Sequence, residues 1–269
     1  SDNAALYGVG GGIVWDSECD AERRECHVKA LVLSAQTEEF SLFETIRWTP
    51  REGYFLLGRH LLRIARSAAY FDYPLDLLRM RRKLKRLAQD LPPRPHKVRL
   101  LLSHDGEITC QADEIVIEET PPIPQVALAS FPIDPCDPLL YHKTTRRRLY
   151  REALDEWRGF DDVILYNTRG EVTESTIANI VADLDGDMVT PSVESGLLPG
   201  TFRAWMLDKR LIREQALSVE RLLVCPRLFL INSVRGMYQV SLDCYRKSLH
   251  VDGARHDGRV RPDTDSRHA

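Results

Sequence analysis

The sequence is short of features that mark a specialised environment. No apolar run reaches the roughly 20 residues that span a bilayer. The opening SDNAALYGVG lacks the basic-then-apolar plan of a secretory signal. A cytoplasmic chain with no membrane partner is expected. The six cysteines (Cys19, Cys26, Cys110, Cys136, Cys225 and Cys244) form no C-x-x-C pair. Neither a zinc ribbon nor a disulfide framework is indicated, no metal is expected, and reduced thiols are the simplest reading. There is no large charge excess: a formal net charge of -3 disfavours wholesale nucleic-acid binding. G-x-S-x-G, H-E-x-x-H and Walker A motifs are also missing. The stretch GVGGGIV begins like a dinucleotide loop, but its third glycine position is Ile13 and no strand precedes it.

What is present is ordinary globular material. Apolar residues make up 43% of the 269, enough to bury a core in one large or two small domains. In FSLFETIRW, Leu42, Glu44, Ile46 and Trp48 alternate with Phe43, Thr45 and Arg47, which predicts a strand. Gly53 marks a turn, and Tyr54 to Leu57 reads as a second strand. Leu57, Leu61, Ile64, Ala65 and Ala68 then recur at helical spacing, up to a break at Pro74. Leu77, Met80, Leu84, Leu87 and Leu91 line a second helix whose other faces are basic. That charge reads as a solvated face rather than a nucleic-acid surface. KVRLLLSHDGEITC predicts a hairpin around Asp105-Gly106, and EIVIEE another strand. Proline-rich TPPIPQ (120–125) separates this half from a second, where strands are read at QVALASFPI, DDVILYN, STIANIVAD, DMVTP and RLFLINSV. YREALDEW is helical, and GLLPGTFRAWMLDKRL passes from a glycine loop into a helix. Turns are read at Arg169-Gly170 and Asp185-Gly186. The mixture predicts an α+β or mixed α/β chain of two domains, with a polar mobile tail over 251–269.

The residues able to do chemistry are dispersed. Lys143, in LLYHKTT, lies shortly after a predicted strand; taken alone it is the first charge of a solvated face, because lysine is mostly exposed. Glu174 stands at a turn entering a strand. Thr201 and the amides of Thr201 and Phe202 open a helix, a natural anion site. Ser233 ends a buried strand, and GRHLLR offers Arg63. A lysine amine, a carboxylate, an arginine and a helix N-terminus are what pyridoxal phosphate requires. Lysine forms the covalent link and moves protons, the acid keeps the pyridine nitrogen protonated, and the cation and amides neutralise the phosphate.

These stretches, in order and spacing, resemble the fold-type IV pyridoxal-phosphate enzymes of the class IV aminotransferase family. FETIRW, LGRHLLRIARSAAYFDY, YHKTTRRRLYREAL, GEVTESTIANI, TPSVESGLLPGTFR and LFLINSVRG carry the likeness from about Phe40 to Val240. The resemblance implies an α+β fold with pyridoxal 5'-phosphate between a small domain (37–122) and a large one (123–250), usually in a homodimer. It implies that Lys143 carries the cofactor and that Glu174 partners the pyridine nitrogen. Arg63, Thr201, Phe202 and Ser233 become phosphate contacts. Thr45, Arg47, Arg99 and Arg235 fall where relatives contact substrate. Many family aminotransferases have a tyrosine five places after the lysine; this chain has Arg148 there, so the contact of the ring hydroxyl is open. The roles of Arg146, Arg147 and Arg148 are equally open.

Residues 1–36 are similar to the last strand and helix of a chorismate-binding synthase component, which is fused to a family member in some bacteria. The expectation is a lyase acting on 4-amino-4-deoxychorismate, a small dicarboxylate, to give 4-aminobenzoate and pyruvate for folate biosynthesis. Association with a synthase domain goes with it. The alternatives are a branched-chain or D-amino acid aminotransferase and a non-catalytic appendage of a synthase.

Overall fold

The computed structural model describes residues 39–117 and 122–243. The synthase-like segment 1–36, the tail 251–269 and part of the proline-rich linker lie outside the described residues.

The first half is a four-stranded antiparallel sheet in the order β2-β1-β3-β4, with two helices. β1 is Leu42–Thr49, β2 Gly53–Tyr54, β3 His96–Leu102 and β4 Ile108–Glu114. The helices are α1, Leu57–Tyr70, and α2, Leu77–Asp90. Asp76 caps α2 by accepting from the Arg79 amide. The apolar positions of β1, β3 and β4 pack against Leu61, Ile64, Met80 and Leu84 in one core. Exposed arginine and lysine cover the outer side of α2, the solvated face expected of it.

The second half is an eight-stranded mixed sheet. Its strands are β5 (Gln125–Leu128), β6 (Asp162–Tyr166), β7 (Val172–Ser175), β8 (Asn179–Leu184), β9 (Asp187–Thr190), β10 (Arg213–Glu214), β11 (Arg227–Asn232) and β12 (Gly236–Leu242). The order is β10-β9-β8-β11-β12-β5-β6-β7, and β7 also pairs with β8. Six strands therefore close into a ring. The rung that closes it is Glu174 opposite Asn179. One core cluster draws on all six ring strands, through Val126, Ile164, Val172, Ile180, Leu230 and Val240. Residues of opposite parity face helices instead. Val163 and Leu165 meet α3 (Arg148–Glu156) at Ala153, and Val181 and Ile231 meet α4 (Thr201–Asp208) at Met206. Burial of both faces explains why these strands read as unbroken apolar runs. A short α5, Val219–Leu223, lies between β10 and β11.

Several boundaries differ from the sequence reading, each for a local reason. STIANIVAD is a hairpin rather than one strand. The Ser175 amide donates to the Ala178 carbonyl, and the Ala178 amide donates back to Ser175 Oγ. Glu174 consequently sits inside β7, not at a turn. β4 ends at Glu114, and Val116 and Ile117 of EIVIEE are exposed and outside any strand of the described residues. The second strand is only Gly53–Tyr54, since α1 already begins at Leu57. α1 ends at Tyr70, before the left-handed Asp72 (φ 58°), and not at Pro74. QVALASFPI is extended only to Leu128, and a single 3-10 turn, Pro138–Tyr141, precedes Lys143. The turn at Asp185-Gly186 is as expected, with both residues at positive φ.

Candidate active site

A cavity of about 530 Å³ opens between the small sheet and the ring. Nine of the ten residues singled out above line it; Arg47 does not. Arg47 shares the face of β1 that carries Thr45, but lies one pleat further along. Its guanidinium stacks on Phe55 at 4.4 Å and donates to the Val234 carbonyl.

Lys143 is brought to the cavity by two backbone ties between its loop and the start of β1. The Phe43 amide donates to the Lys143 carbonyl, and the Thr145 amide to Ser41. The Lys143 Nζ lies 4.7 Å from the centre of the Phe43 ring, and the Arg99 guanidinium lies 4.3 Å from the same ring. Burial lowers the Lys143 amine to about 7, and Arg63 and Arg147 add to this against the attraction of Glu44 and Glu174. Such an amine is substantially neutral at physiological pH, as a nucleophile or proton acceptor must be.

Glu174 is buried in the opposite wall. Burial raises its carboxyl to about 7, opposed by hydrogen bonds from Tyr150 and the Leu198 backbone and by the charges of Lys143 and Arg147. Tyr150 Oη donates to Oε1 at 2.8 Å, and Asn179 Nδ2 approaches Oε2 at 3.4 Å. A buried carboxylate with neutral partners and no arginine clamp fits a cationic group of a ligand.

The third wall is the start of α4. Its N-cap, Gly200, offers no side-chain cap, so the amides of the first turn face the cavity unpaired by a cap. A Cβ on Gly200 would lie 1.9 Å from Asn179 Oδ1, so any side chain there must displace the Asn179 amide. Asn179 Nδ2 also donates to the Leu198 carbonyl at 2.9 Å, tying this loop to the Glu174 wall. Thr201 Oγ1 sits 3.3 Å from His60 Nε2. Ser233 Oγ donates to the Thr45 carbonyl at 3.2 Å, joining β1 to the end of β11. Phe202 stacks on Trp205 and packs near Phe55.

Arg63 is held from behind. Its Nε and Nη2 donate to the two oxygens of Glu44 at 2.8 and 2.5 Å, while Nη1 reaches the Pro199 carbonyl at 3.4 Å. His60 Nδ1 shares Glu44 Oε2 at 2.7 Å. Burial alone would raise the Glu44 carboxyl. The charges and hydrogen bonds of Arg63 and His60 outweigh it and hold the group at about 2. Of the three arginines after Lys143, only Arg147 faces inward. Its guanidinium lies 4.2 Å over the Tyr150 ring and donates to the Thr176 carbonyl. Arg146 is exposed, and Arg148 pairs with Glu152 on the outer surface of α3. Lys97 lines the cavity mouth, paired with Asp113 at 3.2 Å.

Glu44, His60, Tyr150 and Asn179 were not picked out from the sequence, and Arg147 only as one of three arginines of open role. Glu44 left a signal, being the one charge in the apolar register of β1. Tyr150 and Asn179 left none, since a tyrosine in a helix and an asparagine in a strand are unremarkable in isolation.

A model of the class IV amino-transferases matches residues 41–242. The chain belongs to the class IV aminotransferase family. Its architecture is the α+β fold of the fold-type IV enzymes, and the cofactor of this family is pyridoxal 5'-phosphate. Among class IV relatives, the "Putative aminodeoxychorismate lyase" of Schizosaccharomyces pombe is 33% identical over 207 residues, covering 74% of this chain and 87% of that protein. The "Probable branched-chain-amino-acid aminotransferase" of Thermotoga maritima is 27% identical over 210 residues, covering 74% and 76%. The crystal structure of a "Putative amino-acid aminotransferase" from Mesorhizobium loti superposes with a TM-score of 0.72 at 35% identity. It covers 76% of this chain and 100% of that one. The class IV cofactor fits the residues on three counts: the near-neutral Lys143, the acid without a cation partner, and the bare helix start. Among the described residues no helix is long and apolar enough to cross a membrane, and no cluster could hold a metal ion.

Proposed function

We propose that the chain is a pyridoxal-phosphate-dependent lyase that converts 4-amino-4-deoxychorismate to 4-aminobenzoate and pyruvate. The observation that carries this reading is Arg99. It shares the Phe43 ring with Lys143, has no acidic partner among the described residues, and stands near Arg147 in the same cavity. A cation beside the reacting amine suits a substrate with carboxylates. Aminodeoxychorismate carries two carboxylates, one more than a branched-chain amino acid, and the cavity's arginines suit the pair.

Bound at Lys143, the cofactor would supply an electron sink for the carbon that bears the substrate amine. The chain's own groups do the rest. Lys143, neutral above about pH 7, takes the proton from that carbon. Glu174, with Tyr150 and Asn179 on its oxygens, holds a positive ring nitrogen. Arg63 and the Thr201 and Phe202 amides receive the phosphate. Arg99, with Arg147 and Arg235, orients the carboxylates. Loss of the enolpyruvyl group makes the product aromatic, which drives the reaction forward.

Incubation of purified protein with aminodeoxychorismate should release 4-aminobenzoate and pyruvate. Glutamate formation from amino acid plus 2-oxoglutarate, without 4-aminobenzoate, would overturn the lyase reading. The second reading, an amino-acid aminotransferase, has a specific support in the 35% identity to the Mesorhizobium loti protein. The product assay separates the two. In the lyase, Arg99→Ala removes a charge-assisted contact and should raise KM for aminodeoxychorismate by about tenfold or more.

A further inference from the structure

The position five residues after Lys143, where many family aminotransferases carry a tyrosine, is Arg148 on the outer surface of the protein. Two residues further, in the first turn of α3, Tyr150 turns inward and lines the cavity. Its hydroxyl donates to Glu174 Oε1 at 2.8 Å, and the Arg147 guanidinium covers its ring at 4.2 Å. Glu174 is in turn the residue whose rung with Asn179 closes the ring of strands.

We propose that Tyr150 is a positioning residue for Glu174: its hydroxyl fixes one carboxylate oxygen and favours the ionised form opposite the cofactor's ring nitrogen, with Arg147 holding the phenol in place. The inference rests on the cofactor site described above.

Four features support it. First, the geometry leaves Glu174 little freedom. Oε1 is taken by Tyr150, Oε2 is approached by Asn179, and Asn179 is itself anchored to the Leu198 carbonyl. Second, Tyr150 donates at every working pH. Burial, then the neighbouring Glu174 and its hydrogen bond, push the phenol well above its ordinary value, with Arg147 opposing and Asp137 adding. Third, a donor to the ionised form of a buried carboxyl favours that form. The charged groups facing Glu174 are Lys143 and Arg147, and both act in the same direction as Tyr150. Fourth, Arg147 is anchored at the Thr176 carbonyl in the β7–β8 turn. Helix, phenol, carboxylate and hairpin thus form one connected assembly.

The test uses the full chain loaded with pyridoxal phosphate, and reads its visible absorbance against pH as well as its kinetics. In Tyr150→Phe the Glu174 carboxyl becomes more basic and competes for the ring-nitrogen proton, so the ring withdraws electrons less. The alkaline midpoint of the visible band should rise by roughly half a unit to one unit. The turnover number should fall about tenfold, with KM nearly unchanged, because the bond acts on the reacting centre and not on substrate binding. In a Glu174→Gln background the same Tyr150→Phe change should add less than about twofold, the sign of a shared pathway in a double-mutant cycle. An unchanged midpoint and turnover in Tyr150→Phe, or an effect undiminished in Glu174→Gln, overturns the proposal. Should Tyr150→Phe fail to fold, ¹³C-labelled tyrosine in the parent protein replaces it. The Tyr150 Cζ resonance should move on Glu174→Gln substitution, and a resonance that does not move overturns the proposal. A parent protein that takes up no cofactor overturns the site reading and this inference together; one that loads normally, with unaltered variants, overturns the inference alone.

Discussion

Two side chains set the acid–base character of the site, and each carries a measurable consequence. Lys143 is lowered to about 7, first by burial and then by Arg63. Its amine is mostly protonated below that pH and mostly neutral above it. The rate at which the cofactor-free protein takes up pyridoxal phosphate should therefore rise about tenfold from pH 6 to pH 8 and then level off. An ordinary lysine would keep rising towards pH 10. Stopped-flow absorbance distinguishes the two profiles. Glu44 works in the opposite sense. Its folded value of about 2 lies below the ordinary 4.5. Its contribution is fully present above pH 4.5 and is lost as pH falls towards 2. The stability gap between the parent and Glu44→Gln should thus be on the order of 3 kcal/mol near neutrality and shrink through that acid window. Urea melts at a series of pH values read it directly. A gap that stays constant with pH would mean that Glu44 is not ionised in the folded protein.

At the scale of elements, the loop from Gly196 to Gly200 and the helix behind it decide whether an anion can dock. Gly200→Ala would drive a methyl into Asn179 Oδ1. The substitution should weaken cofactor affinity about tenfold or more by shifting a hydrogen-bonded side chain, while the far core of α1 and α2 keeps its melting behaviour. Equilibrium dialysis with and without the change checks this. The elements also show where sequence reading succeeds. Leu42, Glu44, Ile46 and Trp48 announce β1 by alternation, and Leu61, Ile64, Met80 and Leu84 announce two helices by period, because each of these segments has one buried face. The β7–β8 hairpin was missed because its turn, Thr176 to Ala178, contains no glycine, proline or aspartate. It is held instead by the Ser175 hydroxyl. Site residues followed the same division. Lys143, Arg63 and Glu174 stand in recognisable motifs. Tyr150 and Asn179 act only through residues distant in the chain, and Arg47 shares a face with Thr45 yet is carried past the cavity by one pleat.

For the molecule as a whole, the site is an interface between two separate cores, and its parts come from both. Thr45, Arg63 and Arg99 belong to the small sheet and its helix, whereas Glu174, Thr201 and Ser233 belong to the ring. Hydrogen bonds cross between them along the whole site, among them Ser233 to Thr45, Thr201 to His60 and the backbone tie of Phe43 to Lys143. In the ring, β7 and β8 share one paired rung, Glu174 with Asn179, next to the turn bonds of Ser175 and Ala178. On the proposed reading Glu174 therefore has two employments: it completes a sheet, and it would receive a ligand. Saturating cofactor, about a hundredfold above its dissociation constant, adds roughly 2.7 kcal/mol to the folded state. On the proposed reading the ligand meets the ring at this seam, through Glu174. Amide hydrogens of β7 and β8 should exchange more slowly on loading than those of β3 and β4, measured by mass spectrometry of peptic fragments. Equal slowing of both pairs would show that the ligand tightens the molecule evenly. Unequal slowing makes the β7–β8 seam a gauge of cofactor occupancy.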